Sequence, residues 1–390
     1  MATAEDTIVC QIDNQNVHSI AIHIKNSHPD WTIDRYKTTY PGEPLFSEFA
    51  KEHVAKSKQK KADAIAAESE KSGATSVLRV ENFHDVFGFG AAPAARSIAT
   101  GNPIEIKTFT HENDEDALPY IAEVDEGYVF NIDLTKKVLM AMELNVPLYL
   151  WGYHGTGKTS VLEQYCARTG RLFSRLQHTI NTEESQVVGQ YVVKDGGTVF
   201  QPGPLALAVR FGHVYCADEY DMAMPAVIAL YQAVLEGKPL VIKEAPIEWR
   251  IVRPHPNFRI VATGNTNGIG DETGLYQGTQ IQNAANYSRF TITEEVTYMD
   301  AAQELAVVMS KTRIDKKSGE KLIKIAKEIR QMFADGKISM TISPREIINA
   351  ARLGIAMGHN WKDGLKLAFS NRLSRVDMKV VSEFSQRIFG

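Results

Sequence analysis

Nowhere in this chain do about 18 apolar residues run together, which excludes an ordinary membrane-spanning helix. Cysteine is scarce. The three present, Cys10, Cys166 and Cys216, are odd in number and far apart, which argues against a disulfide framework and fits a reducing compartment. Basic charge is not in excess either: 43 Lys and Arg stand against 47 Asp and Glu, for a net charge of −4. A whole-molecule pull toward DNA or RNA is therefore not expected. The opening residues, MATAEDTIVCQID, lack the basic start and apolar stretch of a secretory signal. These absences together lead to the expectation of a cytoplasmic protein with neither a membrane nor a nucleic-acid partner. Internal repeats and low-complexity tracts are also missing.

What is present is 390 residues, 44% hydrophobic and 23% charged, enough for two or three domains with a substantial core. Residues 1–50 carry Trp31, Tyr36, Tyr40 and Phe46, the makings of a small domain. The stretch KEHVAKSKQKKADAIAAESEKSGAT is charged, Ala-rich and nearly free of large apolar residues, so residues 51–83 read as a linker. From 84 to 292 short apolar runs alternate with helical patterns. VPLYLW, HVYCA and FRIVAT each read as a buried strand, and the alternation predicts an α/β fold with a parallel sheet flanked by helices. Residues 293–390 read as an all-helical domain, with Leu322, Ile325, Ala326, Ile329, Met332 and Phe333 on one face. Within it, SPRE offers Ser343 as N-cap, Pro344 at the first helical position and Glu346 to close a capping box.

Chemistry concentrates in GYHGTGKTS, which runs through Gly152, Tyr153, His154, Gly155, Thr156, Gly157, Lys158, Thr159 and Ser160. It fits G-x-x-x-x-G-K-[ST], and a predicted strand before it and a helical pattern after it supply the context that motif needs. Gly155 and Gly157 let the backbone turn its N–H groups toward phosphate oxygens. Lys158 reaches the outer phosphates of ATP, and the Thr159 hydroxyl can ligate Mg²⁺. The rival reading, a Gly-rich turn that binds nothing, has no use for the Lys-Thr pair.

Further along, VYCADEYD ends a buried strand in two carboxylates. Asp218 suits the Mg²⁺ shell, and Glu219 suits an attacking water. FRIVATGN ends a third strand at Asn265, whose amide could contact that water or the γ-phosphate. Two arginines are candidates for stabilising transition-state charge. Arg289, in NYSRF, could reach a neighbouring subunit's nucleotide as an arginine finger, and Arg345 could fold onto the γ-phosphate from the SPRE helix.

This order of phosphate loop, DE strand, Asn strand, arginine and helical lid resembles the AAA+ ATPases. More specifically it is similar to the CobS family of aerobic cobaltochelatase subunits, related to the MoxR branch. The matching residues are GYHGTGKT, DEYDMAMPAV, VRPHPNFRIVATGNTNGIGDETGLYQGTQ, SPR and the closing FSQRIFG, within residues 84–390. The resemblance implies a homo-oligomeric ring, commonly a hexamer, with ATP between subunits and chelatase subunits or another protein client as partner. It gives Lys158, Thr159, Asp218, Glu219, Asn265 and Arg345 the roles argued above. Arg289 corresponds to the family's arginine before an aromatic, but NYSRF departs from the acidic-Arg-aromatic form, which leaves Arg250 and Arg253 as alternatives. MoxR-type members also carry a hairpin after the phosphate-loop helix, and QYVVKDGGTVFQPG fits one. A second hairpin is expected around KEAPIE.

Near the start, Cys10, His23 and His28 fall where a zinc finger of the C-x₂-C…H-x₄-H kind puts its ligands, but Asp13 occupies the second cysteine's place. Asp13 or His18 could complete a Zn²⁺ site of a less usual kind. The sequence by itself favours a small finger-like docking domain without metal.

Overall fold

The computed structural model describes residues 7–52, 76–98, 100–111, 114–194 and 196–390. Most of the charged stretch expected as a linker therefore lies outside the described residues, and its end does not fit the expectation: Ser76–Asn82 is a strand paired with Glu105–His111, not linker. The chain divides into two compact units, Met1–Arg79 and Val80–Gly390, each with its own interior.

In the first unit a short hairpin, β1 (Ile8–Val9) and β2 (Asn16–Val17), precedes helices α1 (Ile20–Ser27) and α2 (Ile33–Thr39). Ser19 and Thr32 cap the helices by accepting from the backbone N–H groups of Ile22 and Arg35. The core is small: Cys10, Ile20, Ile24 and Tyr36 are its buried members, with Trp31, Tyr40 and Leu45 packed around them.

The second unit is built on a five-stranded, all-parallel sheet. Its strands are β3 (Leu148–Trp151), β4 (Phe173–Gln177), β7 (Val214–Asp218), β8 (Arg259–Gly264) and β9 (Ile292–Glu295), in the spatial order β9-β3-β8-β7-β4. Side chains alternate across it as strand geometry requires. Leu148, Leu150, Val214, Cys216 and Val261 join the core on one face, beneath α3 (Ile132–Leu144) and α4 (Lys158–Thr169). Tyr149, Tyr215, Ala217, Ile260 and Ala262 join the core on the other, with α5 (Pro204–Phe211). Covered faces explain why these strands read as unbroken apolar runs.

The register places Trp151 beside both Gly264 and Glu295, and Asp218 beside Gln177. The C-terminal ends of the strands thus form one edge, from which Gly152, Glu219 and Asn265 follow directly.

Both expected hairpins are present. β5 (Gly189–Lys194) and β6 (Gly197–Pro202) pair antiparallel after α4. The second is shorter, Leu240–Val241 with Ile251–Val252, and a helical turn at Ile247–Arg250 interrupts its connection. The C-terminal region is helical, though residues 293–295, expected within it, instead complete β9 of the sheet: α6 (Ala301–Thr312), α7 (Lys316–Ala334), α8 (Pro344–Ala356), α9 (Trp361–Ala368) and α10 (Arg375–Phe389) enclose a separate core. The SPRE capping box forms, with Ser343 N–H donating to Glu346 Oε2 at 2.6 Å.

Candidate functional site

The phosphate loop owes its shape to two glycines. Gly155 has φ of +72°, and a Cβ there would stand 2.6 Å from Cβ of Ser343, so only glycine lets the loop meet the start of α8. Gly157, at φ +90°, is the N-cap of α4 and has no side chain to cap it. The first-turn N–H groups of α4 are therefore not taken by a cap, and the helix dipole adds partial positive charge there: a setting suited to phosphate.

Lys158 is buried and bent back over its own loop. Its Nζ donates to Gly152 O at 2.7 Å, Tyr153 O at 3.0 Å and Asn265 Oδ1 at 3.2 Å. Burial lowers its pKa to about 8, partly countered by Glu219, Asp221 and Asp218. Phosphate oxygens arriving here would replace carbonyl acceptors that a cation finds only weakly attractive.

Asp218 is the most heavily bonded carboxylate of the site. Oδ1 accepts from the Thr159 hydroxyl at 2.7 Å and from the Thr263 hydroxyl. Oδ2 accepts from Arg175 Nε at 2.8 Å and from Nη2 of the same guanidinium. Burial raises its pKa, but hydrogen bonds from Thr263, Thr159 and Arg175 outweigh it, so the group stays ionised. The hydroxyl of Thr159 and the carboxylate of Asp218 make a hard-oxygen pair that fits Mg²⁺.

Glu219 adopts φ of +52°, a conformation uncommon for a residue with a Cβ, and its N–H donates to Thr263 Oγ1 at 3.3 Å. Its carboxylate meets Asn265, whose Nδ2 donates to Oε2 at 2.5 Å. Burial raises the Glu219 pKa, as do the nearby Asp221 and Asp218 charges, while Lys158 and the Asn265 amide oppose the rise. A carboxylate poised this way, with one oxygen fixed by an amide, can polarise a water.

Asn265 is itself held by Asp221. One oxygen of this fully buried acid accepts from Asn265 N–H at 2.8 Å, Thr266 N–H at 2.9 Å and the Thr266 hydroxyl at 2.9 Å. Lys158, Thr159, Asp218, Glu219 and Asn265, chosen from three separate stretches of sequence, thus form one hydrogen-bonded group connected through Thr263.

Arg345 stands at the mouth of a neighbouring cleft of about 580 Å³ that His154, Ser343, Glu346 and Arg372 also line. It is exposed on the first turn of α8. Below it Glu346 bonds Arg372 at 2.9 Å, and Glu346 also lies 4.0 Å from His154. His154 N–H donates to the Tyr276 hydroxyl at 3.0 Å. Burial lowers the His154 pKa; Glu346 opposes, while Lys158, Arg345 and Arg372 add to the fall.

Arg289 is not in this group. Its Nε donates to Glu236 Oε1 at 2.7 Å, and Nη1 to Ala285 O. Arg253 is exposed, and Arg250 Nε reaches Ala245 O at 3.4 Å.

Sequence reasoning missed Arg175, Asp221, Thr263 and Tyr276. Asp221 was visible as the last acid of DEYD, and Arg175 as a lone cation in the strand FSRLQ; Thr263 and Tyr276 carried no signal of their own.

A parallel sheet whose C-terminal edge carries a phosphate loop, an Asp-Glu strand end and an Asn strand end, next to a helical lid, defines the AAA class of ATP hydrolases. Residues 147–290 match the AAA domain (dynein-related subfamily), and residues 304–386 match the CbbQ/NirQ/NorQ C-terminal domain. The aerobic cobaltochelatase subunit CobS of Sinorhizobium sp is 33% identical over 282 residues, covering 70% of this chain and 83% of that protein, and the chain belongs to the CobS family. Midasin of Dictyostelium discoideum is 36% identical over 146 residues, 37% of this chain but 2% of midasin. The crystal structure of a putative ATPase from Cytophaga hutchinsonii covers 68% of this chain and 82% of its own at 20% identity, with a TM-score of 0.36. Among the described residues, no helix is long and apolar enough to cross a membrane.

Proposed function

We propose that this ATPase is the motor subunit of a cobaltochelatase, coupling ATP hydrolysis to remodelling of a larger metal-inserting partner so that Co²⁺ enters a corrin ring. The observation that carries the reading is the connected group Lys158–Asn265–Glu219, at the strand edge of a chain that aligns with most of a CobS subunit. Lys158 and the first-turn N–H groups of α4 hold the β- and γ-phosphates of ATP. Thr159 and Asp218 would hold Mg²⁺, which would neutralise phosphate charge. Glu219, steadied by Asn265, accepts the proton of the attacking water.

Arg345 approaches the γ-phosphate from the lid of the same chain, and Arg289 serves a neighbouring subunit's nucleotide. That division requires a ring, for which a hexamer is the natural form, working in the cytoplasm. Release of Arg289 from Glu236 would accompany assembly. Neither corrin nor cobalt chemistry is assigned to this chain; insertion belongs to its partners.

A second reading is a MoxR-like ATPase acting on a different protein client. The N-terminal unit favours it, because that unit lies outside both matched domains and would select the client.

A substrate trap separates the two. Tagged Glu219→Gln protein, isolated with ATP from its native cells, should retain large chelatase subunits. A different client, captured reproducibly and lost when residues 1–50 are removed, would replace the chelatase reading with the second.

A further inference from the structure

The first unit brings together four donors of a kind that bulk packing does not call for. Cys10 leaves β1 into a tight turn: its N–H donates to Gln15 O at 2.8 Å, and Asn14 N–H returns to Cys10 O at 2.8 Å. Asn14 takes φ of +57° to close that turn. Asp13 lies inside it, with Oδ1 fixed by Gln15 N–H at 3.1 Å. Opposite stands α1, which supplies His23 from its body and His28 from its C-cap. Both imidazoles present Nε2 to the same oxygen, Asp13 Oδ2, at 2.9 Å and 3.0 Å.

The ligand atoms of Cys10, Asp13, His23 and His28 all lie within 4.8 Å of one another. Zinc at the centre of such a set, with bonds of about 2.0–2.3 Å, needs donors roughly 3.3–3.8 Å apart, so only small side-chain adjustments separate this arrangement from a closed tetrahedron.

We infer that Cys10, Asp13, His23 and His28 form a structural zinc site, reversing the metal-free preference of the sequence. Three observations carry this. The donor set is one thiol, one carboxylate and two imidazoles, which suits Zn²⁺ and not the hard-oxygen cations. On binding, Cys10 loses its proton, and its thiolate together with the Asp13 carboxylate balances the dication, leaving a neutral site in a half-buried place. Finally, the unit's core has only four buried members, and a domain this small ordinarily needs a covalent or metal staple.

The alternative fourth ligand is excluded by position. His18 Nδ1 bonds Ser47 Oγ at 3.1 Å, and its ring lies against Phe49 with centroids 4.9 Å apart. All four positions of the metal are then filled by protein, which makes the site a staple and not a catalytic centre. Asp13 Oδ1, held by Gln15, orients the ligating oxygen from behind.

The full-length chain, purified without chelator, should carry zinc in a stoichiometric amount by plasma mass spectrometry. The amount should be unchanged in Lys158→Ala and fall about tenfold or more in Cys10→Ser and His28→Ala. Because those two variants could lose metal by unfolding, Co²⁺ exchange into the wild-type chain gives the decisive reading. Strong tetrahedral d–d bands and one thiolate charge-transfer band are expected, and Asp13→Cys should retain the metal and strengthen the charge-transfer band. A wild-type chain that takes up neither Zn²⁺ nor Co²⁺, or that gives the weak spectrum of octahedral cobalt, overturns the inference. Zinc retained in full by both Cys10→Ser and His28→Ala overturns it as well.

Discussion

Lys158 and Glu219 differ in what burial does to them, and the difference can be measured. The Lys158 ammonium loses its proton near pH 8 in the nucleotide-free chain, because burial costs the charged form. ATP needs that charge, so nucleotide affinity should fall as pH rises through about 8, by at most roughly tenfold per pH unit for a single proton. Lys158→Arg should remove this slope, since arginine stays charged throughout. An affinity flat from neutral pH to pH 9.5 in the wild type would contradict the role given to Lys158.

Glu219 works as an ionised base and its pKa is raised. Turnover should therefore fall on acidification at a higher pH than an ordinary carboxylate would set. Glu219→Gln should bind ATP normally and hydrolyse it at least about a hundredfold more slowly; wild-type rates in that variant would refute the assignment. Asp221 acts through Asn265 and not on the substrate. Asp221→Ala orphans two buried donors and one half-buried one and should cost about 2–4 kcal/mol in chemical denaturation.

At the scale of elements, the junction between lid and phosphate loop rests on aromatic packing and one buried ion pair. Tyr153 of the loop stacks on Tyr298 at 6.1 Å and meets Phe333 of α7 edge-on at 5.7 Å. The Arg330 guanidinium sits 3.8 Å from the Tyr298 ring centre and grips Glu304 of α6 through two bonds of 2.7 and 2.6 Å. Removing one partner leaves a buried charge, so Glu304→Ala should destabilise the chain by about 3 kcal/mol. Denaturant melts of the variant check this, and a cost under 1 kcal/mol would show the pair to be replaceable.

The β5–β6 hairpin is a different sort of element. Val193 is 81% exposed, and Tyr191 and Val199 are also exposed, so the hairpin leaves apolar surface open to solvent among the described residues. Val193→Asp should leave basal ATP turnover intact while lowering its stimulation by a client. Equal stimulation in the two proteins would reduce the hairpin to an ordinary surface feature.

For the whole molecule, the proposed ring makes assembly depend on nucleotide. ATP bound between subunits adds contacts that the isolated chain lacks, so sedimentation with ATP should shift the protein toward a larger species. Arg289→Ala should weaken that shift and reduce turnover, with intrinsic ATP binding preserved. A monomer under both conditions would count against Arg289 as a finger.

How much of this was legible beforehand depended on whether a residue's signal was local. The phosphate loop, the apolar strands and the SPRE cap announce themselves because each is a local rule of backbone geometry: glycine at positive φ, a strand buried on both faces, a side chain capping its own helix. The same holds for the spacing of Cys10, His23 and His28. Long-range partnerships were not legible. Arg175 clamps Asp218 because β4 lies beside β7, and Asp221 fixes Asn265 because β8 lies on the other side of β7. The placing of Asp13 was hidden for the same reason: spacing reveals an imperfect ligand pattern, but only the fold turns Asp13 toward both histidines. Sequence alone thus determined the class of chemistry, through short motifs whose physics is contained within a few residues. Tertiary structure decided which charges meet, because distance in space and distance along the chain are set by different forces.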